Sequence, residues 1–397
     1  MNKSLWVSVI IVLAMLGFLV VYGLSGLPED AFDFSKEEHA AEAGGYGAQL
    51  VEPLIPVEDV VPAEANPHLL VTPEDIEKNT GKWIVVDCRD KAAYDRGHIP
   101  GAISLGGRCH VLIRDTEKII KIIGKMKDDY DFSPIKKGVE SGRIDIKSLI
   151  ASLALRPVED LEKLFGDAGV RYDKTVVVYS DTKDILPGYH AVPFFVLEYL
   201  GHQDVRILDG GIKAWTSEGK AIEKKENKLA PTEFKARLVK NRLATTEEVF
   251  KIAKGELDAQ LVDSRLEIEY LGKGVSPPGH FLAKAVKWGG RIPNTMANLQ
   301  HFQQFGDMRT LKMRPIGQLN RFYTLYGKLD KSKRTILYCY IANRISFSYF
   351  VLRLIGFKDP AIYHDSWIVY GNDDSLPKEV QSRNADYVRA SKGGPSG

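Results

Sequence analysis

Short β-branched runs alternate with helically spaced apolar residues along most of the chain. Ile84 to Val86, Val176 to Val178, Val205 to Leu208 and Thr335 to Tyr338 are almost wholly apolar, as strands covered on both faces are. Tyr189 to Leu200 and Ser346 to Leu354 carry apolar residues at helical spacing, and Gly201 supplies a stop for the first of these helices. Buried strands alternating with helices predict an α/β fold built on a mostly parallel sheet. The pattern occurs twice. FVLEYLGHQD, beginning at Phe195, returns as FVLRLIGFKD, beginning at Phe350, so the chain is expected to hold two copies of one domain.

One segment departs from this alternation. Leu5 to Leu27 is uncharged and apolar, long enough as a helix to cross a bilayer, with Lys3 before it and Glu29, Asp30 and Asp33 after it. The basic end is expected to stay in the cytoplasm, which puts the remainder on the extracytoplasmic side, in the periplasm or at the cell surface. Signal cleavage near Gly23 to Gly26, giving a secreted protein, is the alternative. Residues 28–67, rich in Glu, Asp, Ala, Gly and Pro, read as a tether. The expected organisation is then a first domain over 68–225 with a long insertion at 110–159, a linker at 226–240, a second domain over 241–380 and a polar tail at 381–397. A second insertion spans 298–328.

The 397 residues are 44% hydrophobic and 27% charged, which is globular, and the net charge of +2 without a basic block gives no footprint for nucleic acid. Three cysteines do not make a disulfide framework. Cys88 reads as a core residue. Cys109 could pair with it only if the geometry allows. Cys339 is different, because it falls at a strand-to-helix turn, facing the positive end of the following helix with Arg344 close by, and both favour thiolate.

These residues carry a resemblance to the rhodanese family of sulfurtransferases. The loop Cys339-Tyr340-Ile341-Ala342-Asn343-Arg344 is similar to the family's catalytic loop. It is one residue shorter than the phosphate cradle of related phosphatases, so its ring of N–H donors should suit a single sulfur atom. The first copy also carries the family signature in Asp87, Arg89, Tyr94, Gly97, His98, Ile99, Pro100, Gly101 and Ala102. In the second copy the signature reads Asp263, Arg265, Tyr270, Gly279, His280 and Ala285. Asp87, His98 and their counterparts Asp263 and His280 are expected to stabilise a turn.

The resemblance implies two tandem rhodanese-like domains, each a mostly parallel sheet flanked by helices, after one N-terminal transmembrane helix. The first domain should be catalytically silent, since Ser180 occupies the nucleophile's position. In the second, Cys339 would take sulfur from a small anionic donor such as thiosulfate and pass it, as a persulfide, to cyanide, a thiol or a protein acceptor. Loop N–H groups from Tyr340 to Arg344 would stabilise the persulfide, while Arg344 and Arg265 would hold the donor's oxyanion end. For Arg265 a salt bridge to a nearby carboxylate is the competing reading. No metal or organic cofactor is required. A non-catalytic sulfur-carrying or partner-binding module is the alternative function. Ala342 stands where the family usually has glycine, and a positive φ there would cost about 1–2 kcal/mol.

Overall fold

A computed structural model describes residues 59–105, 109, 112–114, 137–138, 141–181, 190–273, 286–307, 309–381 and 387–390. The apolar run 5–27 and His280 lie outside the described residues. Among the described residues no helix is long and apolar enough to cross a membrane.

The first half runs β1 (Leu70–Val71), α1 (Pro73–Lys78), β2 (Ile84–Asp87), α2 (Lys91–Arg96), β3 (Ile103–Ser104), α3 (Ile146–Ser152), α4 (Val158–Asp167), β4 (Val176–Tyr179), α5 (Ala191–Tyr199), β5 (Val205–Leu208) and α6 (Gly211–Ser217). The second half begins β6 (Leu243–Ala244), α7 (Thr246–Ala253), β7 (Gln260–Asp263), α8 (Glu267–Tyr270), β8 (Thr295–Asn298), β9 (Phe305–Asp307), β10 (Lys312–Met313) and α9 (Ile316–Arg321). It closes with β11 (Arg334–Tyr338), α10 (Asn343–Leu354), β12 (Asp359–Tyr363), α11 (Ser366–Tyr370), β13 (Lys378–Gln381) and β14 (Tyr387–Ala390).

Two five-stranded sheets have matching orders, β1-β5-β4-β2-β3 and β6-β12-β11-β7-β8. Every pairing within them is parallel. The central strands β4 and β11 are apolar on both faces because both faces are covered, which is why their sequence does not alternate. Their registers match too: Tyr179 lies beside Asp87, and Tyr338 beside Asp263. Each central strand therefore delivers the residue after its tyrosine, Ser180 or Cys339, to the carboxyl edge of its sheet.

α5 and α10 pack on each other and join the halves through one continuous core. Phe194 meets Phe350 edge-on at 4.9 Å, and Phe195 meets Tyr349 at 5.0 Å. Glu198 on α5 takes the Tyr349 hydroxyl at 2.5 Å and the Arg353 Nε at 3.0 Å. Both helices are thus buried nearly all round, so they lack a polar stripe.

The expected boundaries shift where packing overrides composition. Within 226–240, Asn227 donates its N–H to the Tyr94 hydroxyl at 3.0 Å and Phe234 is buried against Phe165, so this stretch is bound to the first half rather than free as a linker. The end of the tether is also fixed: the Asn66 N–H bonds the Leu354 carbonyl at 2.7 Å, and Glu64 pairs with Lys331 at 2.7 Å. In the long insertion, Ile144 and Leu153 pack into the second half's core beside Tyr340 and Trp367.

Glu198 is buried between Tyr349 and Arg353, and removing it strands a partly buried cation at the junction of the halves. Glu198→Ala should cost about 3–5 kcal/mol of stability, the usual loss when one partner of a buried pair is removed, read as a lower denaturant midpoint.

Candidate active site

β11 ends at Tyr338 and the chain turns at Cys339. Ser366 and Trp367 hold that turn: the Cys339 N–H donates to Ser366 Oγ at 3.2 Å, and the Trp367 N–H donates to the Cys339 carbonyl at 2.9 Å. Ser366 adopts φ 50° and its hydroxyl also donates to the Tyr363 carbonyl at 2.8 Å. In the first half, Gly211 has φ 52° and the following residue, Ile212, donates to the Ser180 carbonyl at 3.0 Å. The two halves build the same seat, one under a serine and the other under a cysteine.

After Cys339 the chain passes through Ala342 at φ 69°, ψ −9° and enters α10 at Asn343. A left-handed residue followed by a helix start turns successive N–H groups toward one concavity, and the first N–H groups of a helix have no partner within it. Alanine pays for this conformation because its Cβ crowds the backbone. The Cys339 side chain is fully buried, as are Tyr340 and Ala342, whereas Ile341 is half-buried. Cys88 and Cys109 are both buried and are not joined by a disulfide.

The arginines are engaged differently from the expectation. Arg344, in the first turn of α10, is held by both Glu269 oxygens at 2.8 and 3.0 Å. Burial works to raise the Glu269 carboxyl, but Arg344 overrides it and holds Glu269 below its ordinary value. Arg265 is wholly enclosed. Its Nε and Nη2 grip Asp263 at 3.0 and 2.7 Å, Nη2 donates to the Gly290 carbonyl at 2.6 Å, and the guanidinium lies 4.6 Å from the Trp367 ring. The assignment of Arg265 to substrate gives way to the competing one, a structural ion pair. Arg89 does the same in the first half, with Asp87 at 2.6 Å and the Gly97 carbonyl at 2.7 Å.

That correspondence also corrects the second copy of the signature. Gly290 takes the place of Gly97, and Arg291 exchanges backbone bonds with Glu379 as His98 does with Glu223. Ile292 donates to the Tyr338 hydroxyl at 3.3 Å as Ile99 does to Tyr179 at 3.2 Å. The motif therefore reads Gly290-Arg291-Ile292-Pro293 rather than Gly279-His280. Its Ile-Pro pair stands at 292–293, behind the Gly279-His280 pair that matches the motif's opening residues in sequence alone. His98 stacks on Tyr94 at 3.7 Å and bonds the Tyr94 carbonyl at 2.8 Å.

Several residues around the loop escaped the sequence reading. Arg114, from the long insertion, is buried and places Nη2 3.3 Å from Asn343 Oδ1. His301 is buried beyond β8, and burial, with Arg344 adding to it, pushes its imidazole well below the ordinary value. Glu269, Ser366 and His364 complete the surroundings. Only Ser366 left a trace, as a serine aligned with Gly211. Among the described residues no cluster of three or more His, Cys, Asp or Glu side chains could hold a metal ion.

Ala342→Gly should relieve the left-handed strain of about 1–2 kcal/mol, less the added freedom of glycine in the unfolded chain, leaving a gain near 1 kcal/mol that a higher melting temperature would report. Glu269 also predicts a pH effect. Its carboxyl is depressed in the folded state, so its contribution is present above the unfolded value and is lost as pH falls through the folded one. Glu269→Gln should therefore be less stable than the wild type at neutral pH, and melting curves of the two should converge in acid.

Residues 72–218 match the family model described as a rhodanese-like domain. A protein of Saccharopolyspora erythraea named "Putative thiosulfate sulfurtransferase" is 28% identical over 291 residues, 73% of this chain and 87% of that protein. The "Sulfur carrier protein TtuD" of Thermus thermophilus is 27% identical over 323 residues, 79% of this chain and 97% of that protein. Among solved structures, wild-type EanB is 22% identical with a TM-score of 0.59, covering 79% of this chain and 69% of that one. The anaerobic ergothioneine biosynthesis enzyme from Chlorobium limicola, bound to trimethyl histidine, is 19% identical with a TM-score of 0.61, covering 87% and 81%. At these identities the solved structures speak to the fold alone. The chain thus matches the rhodanese-like domain model over residues 72–218 and is similar over most of its length to proteins named for sulfur transfer and sulfur carriage.

Proposed function

We propose that the protein is a sulfurtransferase working through a persulfide on Cys339. The observation that carries this reading is the placement of Cys339 at the carboxyl end of the central strand β11, before a left-handed Ala342 and the N-terminus of the twelve-residue α10. The Cys339 thiolate attacks the outer sulfur of an anionic donor such as thiosulfate. The donor's S–S bond breaks, and sulfite leaves with the electron pair. An acceptor then attacks the outer sulfur of the persulfide, and Cys339 departs as thiolate. Loop amides from Tyr340 to Arg344 face the charge on the persulfide sulfur, and the positive end of α10 adds to their field. With Arg344 bound to Glu269, those main-chain dipoles take the larger share of that work.

In this reading the second half, with the first as a silent wall, is a second rhodanese-like domain; the matching strand orders and the matching seats of Ser180 and Cys339 support it. The apolar run 5–27 anchors the protein with both halves extracytoplasmic. A sulfur carrier that hands its persulfide to a partner protein is the second reading, favoured by the similarity to the Thermus carrier.

Purified protein given thiosulfate and cyanide should form thiocyanate, and Cys339→Ser should lose that turnover to background. Persulfide on Cys339 by mass spectrometry without turnover would select the carrier; neither persulfide nor turnover would refute both readings.

A further inference from the structure

His364 lies immediately after β12, on the segment that holds the main chain of Cys339. Its first-half counterpart is Asp209, two residues before Gly211 as His364 is two before Ser366, so the fold itself does not demand a histidine there. The ring is buried, with Nδ1 3.5 Å from Asp365 Oδ1. Asp365 is itself oriented, since its Oδ2 accepts from Thr246 Oγ1 at 3.0 Å. The other ring nitrogen, Nε2, has no hydrogen-bond partner among the described residues. A buried polar atom left in this way costs about 1–3 kcal/mol, and a solvent or ligand contact or a chemical role ordinarily explains one.

A carboxylate beside Nδ1 favours the tautomer that carries its proton there, leaving a lone pair on Nε2. Among the described residues, the charged groups that act on the ring are Asp365, on its own segment, and Arg114, from the first-half insertion. Burial lowers the imidazole more than Asp365 raises it, so the ring is neutral at neutral pH and able to accept a proton. Arg114, whose charge acts on His364, also reaches Asn343, which opens α10 after the Cys339 turn.

We propose that His364 is the base for a thiol acceptor, positioned by Asp365; this rests on the reading of Cys339 as a persulfide carrier. As the acceptor sulfur attacks the outer sulfur of the Cys339 persulfide, its S–H proton passes to Nε2. A new S–S bond forms on the acceptor, the bond to Cys339 breaks, and its electron pair stays on the Cys339 thiolate. One neutral sulfur atom moves and no external oxidant or reductant is consumed. The imidazolium then returns its proton to solvent.

The test loads the full chain with thiosulfate, confirms the Cys339 persulfide by mass, and follows its single-turnover discharge by glutathione and, separately, by sulfite. In mildly alkaline buffer sulfite arrives largely without a proton to lose, so it serves as the reference acceptor. For His364→Gln the ratio of glutathione to sulfite discharge should fall at least about tenfold, within the usual worth of a general base. The deficit should shrink as pH rises toward the thiol's own pKa, about 8.5 for a cysteine thiol. Asp365→Asn should move the ratio the same way by a smaller factor, and it decides the matter if His364→Gln does not fold. An unchanged ratio, or equal slowing with both acceptors, would overturn the assignment while leaving the persulfide reading intact. Failure of the wild type to take up sulfur would instead overturn that reading, and this assignment with it.

Discussion

The buried pairing of Asp263 with Arg265 ties together the parts that make the second half's site. One guanidinium holds the end of β7, caps the Gly290 carbonyl before β8, and lies over the Trp367 ring. Trp367 in turn holds the Cys339 carbonyl. Taking both charges out of water is costly, so the pair need not add net stability. Its contribution is to fix geometry, since Arg265 can satisfy the carboxylate, the Gly290 carbonyl and the ring only when β7, the turn and α11 stand in one arrangement. Asp87 and Arg89 tie β2 to Gly97 in the same way.

With Arg265 committed to that frame and Arg344 to Glu269, the sulfur transfer we propose would draw on main-chain groups more than on those two cations, which suits a small, soft anion that must be released again. An unneutralised arginine beside a persulfide would stabilise the charged intermediate strongly and slow its discharge, whereas preorganised dipoles act at short range. The strain at Ala342 and Ser366, both at positive φ, sits on either side of the cysteine turn and is sustained by the packing around it.

The two halves share a frame and differ in what stands on it. Ser180 bonds His190, which is fully buried and pushed down to about 4 by that burial. Cys339 has a helix start with Arg344 in its first turn, and the first half lends Arg114 to its neighbourhood. The long insertion therefore contributes to the second half, packing Ile144 and Leu153 against its core.

The alternation of apolar runs was enough to read the central strands and the α/β class, because a strand covered on both faces must be apolar throughout and nothing distant alters that requirement. The position of Cys339 was legible for the same local reason: a strand end followed by a helix start is written in consecutive residues. The engagement of Arg265 and Arg344 was not, because a charge in sequence carries no record of which carboxylate will reach it once the sheet has formed. The shift of the second signature to Gly290 and Arg291 became readable only through the hydrogen bonds that repeat those of Gly97 and His98. Arg114 and His364 likewise acquire their setting from chain segments far apart in sequence, brought together by packing that no local pattern encodes.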